Sequence, residues 1–260
     1  MAKWSITARN DAAASENKIH DDLVARRYGF RGGLVPGVTV YAYATRPIVE
    51  ELGPAWLEQG TVSFRLSGPL YDGDTASATA EGTGATVSVE VTDSSGATCL
   101  SGEASIPSTD SDPLDLPAGG ELPVHRPDAS HESLAVGTVL APLRRRFSAT
   151  EHREFLDFLG DDLELYPGAG IAHPGWLARY CNRVLSENVL LSPWIHVGST
   201  LHHHSALHDG ETLEARGVVT GLFERKGHEF VELDVDMRGD GRPVLSGSHT
   251  AIWRPRQAAT

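Results

Sequence analysis

Asn17-Lys18-Ile19-His20-Asp21-Asp22, followed by Gly32-Gly33-Leu34-Val35-Pro36-Gly37-Val38, is the stretch on which the reading of this 260-residue chain turns. Asp21 and Asp22 suit the start of a short helix running to Tyr28, because acidic side chains meet the positive end of the helix dipole. Pro36-Gly37 opens a second helix. After it Val38, Tyr41, Ala42, Thr45, Ile48, Val49 and Leu52 fall near helical spacing, and proline loses no hydrogen bond in a first turn. Pro47 is expected to end or kink that helix. His20, titrating near neutrality beside a helix N-terminus, is a minimal arrangement for proton transfer next to an anion-stabilising site.

The stretch has an echo. Pro174-Gly175 repeats Pro36-Gly37 at a separation of 138, Gly198-Ser199 repeats Gly60-Thr61 at 138, and Asp209-Gly210-Glu211-Thr212 repeats Asp72-Gly73-Asp74-Thr75 at 137. A period this long signals a duplicated unit rather than a solenoid. Strand patterns follow each Pro-Gly helix: Val62 to Leu66, Val87 to Val91 and Thr98 to Ile106, then Ile195 to Ala206, Leu213 to Leu222, Val231 to Met237 and Val244 to Trp253. A long helix followed by antiparallel strands is an α+β pattern with a sheet wrapped on the helix. Residues 1–107 are therefore expected to form an N-terminal unit carrying Asn-x-x-His, 108–139 a linker rich in Pro, Ser, Asp and Gly, and 140–260 a C-terminal unit without the histidine. The tail from Arg254 is expected to fray.

The net charge of −13 argues against nucleic acid, and no apolar run approaches the roughly 20 residues that span a bilayer. Cys99 and Cys181 match no metal or disulfide framework, and the N-terminus has no apolar leader, so a reducing cytoplasmic setting is expected. An acidic chain repels a CoA-type anion unless a basic patch is near. Arg144-Arg145-Arg146 is the dense one, with Arg26-Arg27 and Arg31 weaker.

These residues resemble the MaoC-like (R)-specific enoyl-CoA hydratases, in which a Gly-Asp-x-Asn-Pro-(aliphatic)-His motif precedes a central helix opened by glycine. Asn17, Ile19, His20 and the helix-opening glycine match; Ser15 stands where the family has its catalytic aspartate, and Lys18 where it has proline. The resemblance implies a double hotdog, two copies of the fold in one chain, acting on an acyl-CoA or acyl-carrier thioester. It implies His20 as acid/base, Asn17 or Ser15 orienting water or substrate, and Gly37 with Gly33 at the thioester oxyanion. No metal or cofactor is expected, nor any membrane or nucleic-acid partner; a monomer that is its own pseudo-dimer and a homodimer remain equal alternatives. The fatty-acid dehydratases, another hotdog group, carry a glutamate at positions held here by Ala42 and Tyr180.

A serine has no useful pKa for deprotonating water, which leaves four readings: a hydratase or dehydratase, a thioesterase, a non-catalytic acyl-CoA or small-molecule binder, and a lyase re-tasked in secondary metabolism. His202-His203-His204 suggests a metal, but strand neighbours alternate faces and no ligand falls at zinc spacing. His173, before Pro174, is a reserve candidate in the second copy.

Overall fold

The computed structural model describes residues 1–109 and 112–257; the last three residues of the tail expected to fray lie outside the described residues. Ten strands form one antiparallel sheet. They are β1 (Ala2–Thr7), β2 (Thr61–Leu66), β3 (Thr75–Thr83), β4 (Thr86–Thr92), β5 (Thr98–Ser105), β6 (Val139–Arg146), β7 (Ile195–His203), β8 (Thr212–Arg225), β9 (His228–Gly239) and β10 (Arg242–Arg254). Their spatial order is β1-β3-β4-β5-β2-β7-β10-β9-β8-β6. Read inward from either edge it is the same plan: an edge strand, a three-stranded meander, then the inner strand. The halves meet where β2 pairs with β7, and Ser63 faces Thr200 there with their hydroxyl oxygens 3.0 Å apart.

The facing residues Ser63 and Thr200 lie 137 apart in the chain. The Asp-Gly turns obey this spacing, but the Pro-Gly repeat slips by one. Pro36 is the N-cap of α2 (Gly37–Leu52), whereas Pro174 is already the first residue of α6 (Pro174–Ser186), whose N-cap is His173. The slip gives the two central helices different N-termini, and it matters for the site.

The helices pack against each other and are covered by the sheet, α2 by β1, β3, β4 and β5 and α6 by β6 and β8. Their closest approach sets Ala42 against Gly175, where an added Cβ would fall 2.3 Å from that of Ala42. The glutamate of the fatty-acid dehydratases would have no room there. Pro47 does not end α2, which continues to Leu52. Interior proline costs about 3 kcal/mol or more, and the surrounding turns from Val38 to Val49 are almost wholly buried. Packing of that extent outweighs one missing hydrogen bond.

Residues between β5 and β6 are strapped to the sheet rather than loose. Arg216 donates to the Leu116 carbonyl at 2.9 Å, and Arg238 donates to the Leu114 carbonyl at 3.2 Å and to Asp115 at 3.0 Å. The tail is also held further than expected: Arg254 pairs with Glu229, and the Arg256 N–H donates to His228 Nδ1 at 3.0 Å. Among the described residues no helix is long and apolar enough to cross a membrane.

Candidate active site

A single turn of 3-10 helix, Lys18–His20, carries His20, and α1 (Asp22–Arg27) follows with Asp21 as its N-cap. Asn17 caps the turn and does more. Its Oδ1 accepts the Trp194 N–H at 3.1 Å and its Nδ2 donates to the Trp194 carbonyl at 3.0 Å, so both ends of the amide are fixed by a backbone group from the other half. The same Nδ2 lies 3.3 Å from His20 Nε2. His20 Nδ1 lies 2.7 Å from the Leu34 carbonyl. A carbonyl only accepts and this Nδ2 only donates, so the neutral ring carries its proton on Nδ1 and its Nε2 lone pair accepts the Asn17 N–H, a contact that gives way when Nε2 takes a proton. Burial holds the His20 pKa below its usual value, against the Leu34 hydrogen bond and the Asp11 charge, which both raise it. The imidazole is therefore a neutral base at pH 7.

His20 stands between two spaces. One is an apolar cavity of about 260 Å³, walled by Ile19, Phe30, Val40, Leu66, Leu70 and Ile252 among others, with no Asp or Glu in its lining. The other is an open polar groove of about 430 Å³ rimmed by Arg126, Arg179 and Arg183. Five residues line both and so form the neck: Asn17, His20, Pro36, Asn182 and Trp194. The first half supplies three of them and the second half two, so the neck exists only where the halves meet. The rim arginines are balanced by Glu16, Asp11 and Glu187, at 2.9, 2.5 and 2.5 Å.

The N-terminus of α2 opens into the cavity. Pro36 has no side-chain cap to offer, and Gly37 lines the wall with Leu66 and His196 pressed against its Cα. The Thr39 and Val40 N–H groups donate to the Pro36 carbonyl, so what this terminus can offer an oxyanion is the Gly37 N–H with the helix dipole. The matching terminus of α6 is closed, because His173 Nδ1 accepts the Gly175 N–H at 2.9 Å. His173 is fully buried, with Nε2 3.0 Å from Thr45 Oγ1 and 3.3 Å from Asp161 Oδ2, while its own N–H donates to His152 Nε2. His173 is a cap in a sealed cluster, not a second catalytic group.

Two other sequence candidates stand differently from expectation. Gly33 is not an oxyanion donor: its N–H donates to Asp22 Oδ1 at 2.8 Å, and it is absent from the cavity wall. Its place is steric, since a Cβ there would sit 2.1 Å from the His20 carbonyl oxygen. Gly33→Ala is expected to cost about 1–3 kcal/mol of overpacking and to lower Tm by about 3–10 °C; a thermal melt with an unchanged Tm would contradict this. Ser15 lines the groove rather than the cavity, and its hydroxyl donates to the Asn17 carbonyl at 3.3 Å.

Sequence reasoning missed Asn182 and His196. His196 is buried at the cavity wall, stacked on His249 at 4.2 Å, with Ser199 Oγ between them at 3.0 and 2.9 Å. Burial pushes its pKa down to about 3. In the triple-histidine run, His203 packs on Trp56 and His204 Nε2 meets Ser246 Oγ at 2.8 Å. In the arginine run, Arg144 pairs with Glu214 and Arg145 with Glu151, while Arg146 lines a separate pocket with Trp176 and Tyr180.

No protein-family model matches the chain, and no curated protein sequence does. Solved structures do. A protein described as a MaoC domain dehydratase from Chloroflexus aurantiacus J-10-fl superposes with a TM-score of 0.63 at 12% identity, over 97% of this chain and 93% of that one. A conserved hypothetical protein of Mycobacterium tuberculosis, described as a double hotdog, gives 0.61 at 16% identity over 96% and 95%. A protein described as an oleoyl thioesterase from Lactobacillus plantarum gives 0.53 at 10% identity over 99% and 98%. The fold is the double hotdog, as the family resemblance implied and the Pro-Gly repeat supported.

Proposed function

We propose that the chain acts on an acyl thioester by adding water to a 2-enoyl group or eliminating it from a 3-hydroxyacyl group, with His20 as the acid/base. The observation that carries this is the neutral His20, its Nε2 set at a neck between an apolar cavity and a groove rimmed by charged side chains, beside an uncapped helix N-terminus. The acyl chain occupies the cavity, the carrier arm leaves by the groove, and the reacting carbons lie at the neck. In hydration, water oxygen bonds to C3 as His20 Nε2 takes one of its protons. The double-bond electrons move through C2 to the thioester oxygen, where the Gly37 N–H and the α2 dipole meet the new charge. His20 then returns its proton to C2, leaving the 3-hydroxyacyl thioester and a neutral imidazole. Asn17 positions His20, because its amide is spent on Trp194 and the ring. The dehydratase named among the structural neighbours supports this reading.

The second reading is thioester hydrolysis. A cavity without a carboxylate and a thioesterase-described neighbour favour it; the same base and oxyanion donor would then serve water attack on C1. Incubation with crotonyl-CoA and longer 2-enoyl-CoAs separates the two, with enoyl absorbance and free thiol followed in parallel. Enoyl loss without thiol is the expected result. Thiol release gives the hydrolytic reading, and a Tm raised by the esters with neither change makes the protein a binder.

A further inference from the structure

We propose that the Asn182 amide is a second catalytic group of this site, hydrogen-bonded to the oxygen of the water that adds, or of the hydroxyl that leaves, across the neck from His20. The inference rests on the hydratase reading. Helix α6 of the second half carries Asn182 to the neck, where it lines both the cavity and the groove. Asn182 is half-buried, and its Oδ1 is buried with no hydrogen-bond partner among the described residues.

Two nearby asparagines show how unusual that is. Asn17 is committed at every end. Asn188 accepts the Ala141 N–H at 2.8 Å and donates to the carbonyls of Ala141 and Val184 at 3.0 and 2.9 Å. An unpaired buried carbonyl oxygen costs about 1–3 kcal/mol, so an apolar residue at position 182 would suit the empty protein better. A half-turn of the amide exchanges its two ends, and nothing in the protein fixes which faces the neck. The matching ligand is therefore an oxygen that both donates and accepts, as water and hydroxyl do.

The chemistry needs such a group. The cavity has no carboxylate, and Ser15 lies in the groove. Water attacking C3 gives one proton to His20 and must be held by its remaining hydrogen-bonding capacity, or it is free to rotate away from the carbon. An amide holds it without taking a proton, which leaves all the proton transfer to His20: one proton from water to Nε2, then from Nε2 to C2.

The test compares wild type, Asn182→Leu and Asn182→Asp on crotonyl-CoA, with melting curves of each protein. Asn182→Leu is expected to lower kcat about tenfold to a hundredfold with KM little changed, while its Tm equals or exceeds that of wild type. Asn182→Asp, close in shape, is expected to raise the acid-limb pKa of the kcat/KM profile, because a carboxylate beside His20 favours the imidazolium. An active wild type with unaltered Asn182→Leu kcat, or an acid limb unmoved in Asn182→Asp, overturns the inference alone. A large Tm loss in Asn182→Leu also overturns it by making the amide structural. A wild type that hydrates no enoyl-CoA overturns the hydratase reading and this inference with it.

Discussion

Lowering the pH from 7 to 5 is expected to strip the protein of a large share of its stability, through buried histidines rather than carboxylates. His152, His196, His203 and His249 are buried, between 1% and 6% exposed. Burial is the leading cause in each case. It depresses His152, His196 and His203 to about 3, and His249 well below its usual value. The neighbouring His173 and Arg179 also lower His152, and the flanking His204 and His202 lower His203. Each folded pKa is depressed below the unfolded 6.5, so the unfolded chain binds the protons. Stability is whole above pH 6.5 and drains away as pH falls toward 3. At pH 5 His152, His196 and His203 have each withdrawn about 2 kcal/mol, about 6 together, with His249 acting in the same direction, against a typical total of 5–15 kcal/mol. From these three the slope near pH 5 should approach about 4 kcal/mol per pH unit, the uptake of about three protons on unfolding. Urea melts followed by circular dichroism between pH 5 and 7.5 measure it. A stability flat down to pH 4.5 would show that the rings are hydrated or otherwise paired in solution.

The same histidines mark where the sequence stops being legible. A histidine on a strand pattern can face either way, and only the wrapping of the sheet on α2 and α6 puts His196 and His249 inside. The strands rich in Val and Ile are readable from alternation, but β3, Thr-Ala-Ser-Ala-Thr-Ala, is not. Alanine has poor strand propensity. It is used here because Ala76, Ala78 and Ala80 lie nearly fully buried against α2, where a larger side chain would lift the helix off the sheet. β6 hides in the same way behind its arginines. Helix α4 (Ala149–Leu159) left a usable sign in Ser148-x-x-Glu151, and Ser148 does accept the Glu151 N–H.

For the site, the Asn-x-x-His segment was visible because its parts are neighbours in the chain. Asn182, Trp194 and His196 were not. They reach His20 through the approximate two-fold relation between the halves, and no local spacing encodes that. The Pro-Gly repeat misled in one respect. Treating Pro36 and Pro174 as equivalents hides that one helix has a proline cap and the other a histidine cap, which is why one N-terminus is open to the cavity and the other is sealed.

His20→Gln is expected to lower kcat by about 10²–10⁴ while leaving KM and Tm close to wild type. Glutamine retains an N–H for the Leu34 carbonyl and an oxygen for the Asn17 amide, so both neighbours keep partners and the 3-10 turn stays in place. Alanine would strand both groups, and its effect on activity would be mixed with a loss of packing. What glutamine lacks is a titratable lone pair. The cavity lining holds no carboxylate, and its other imidazoles are His196 and His228; of the three, only His20 also lines the groove and so stands at the neck. Were a carboxylate of the groove the base, the variant would lose only the orientation that His20 supplies, and the fall would stay within tenfold. The pH profile separates the cases further. The acid limb of wild-type kcat/KM should fall with a pKa below 6.5, since burial depresses His20, and it should vanish in His20→Gln. A limb that persists unchanged would assign the proton transfer to another residue, and the polar groove beside the neck would be the place to look for it.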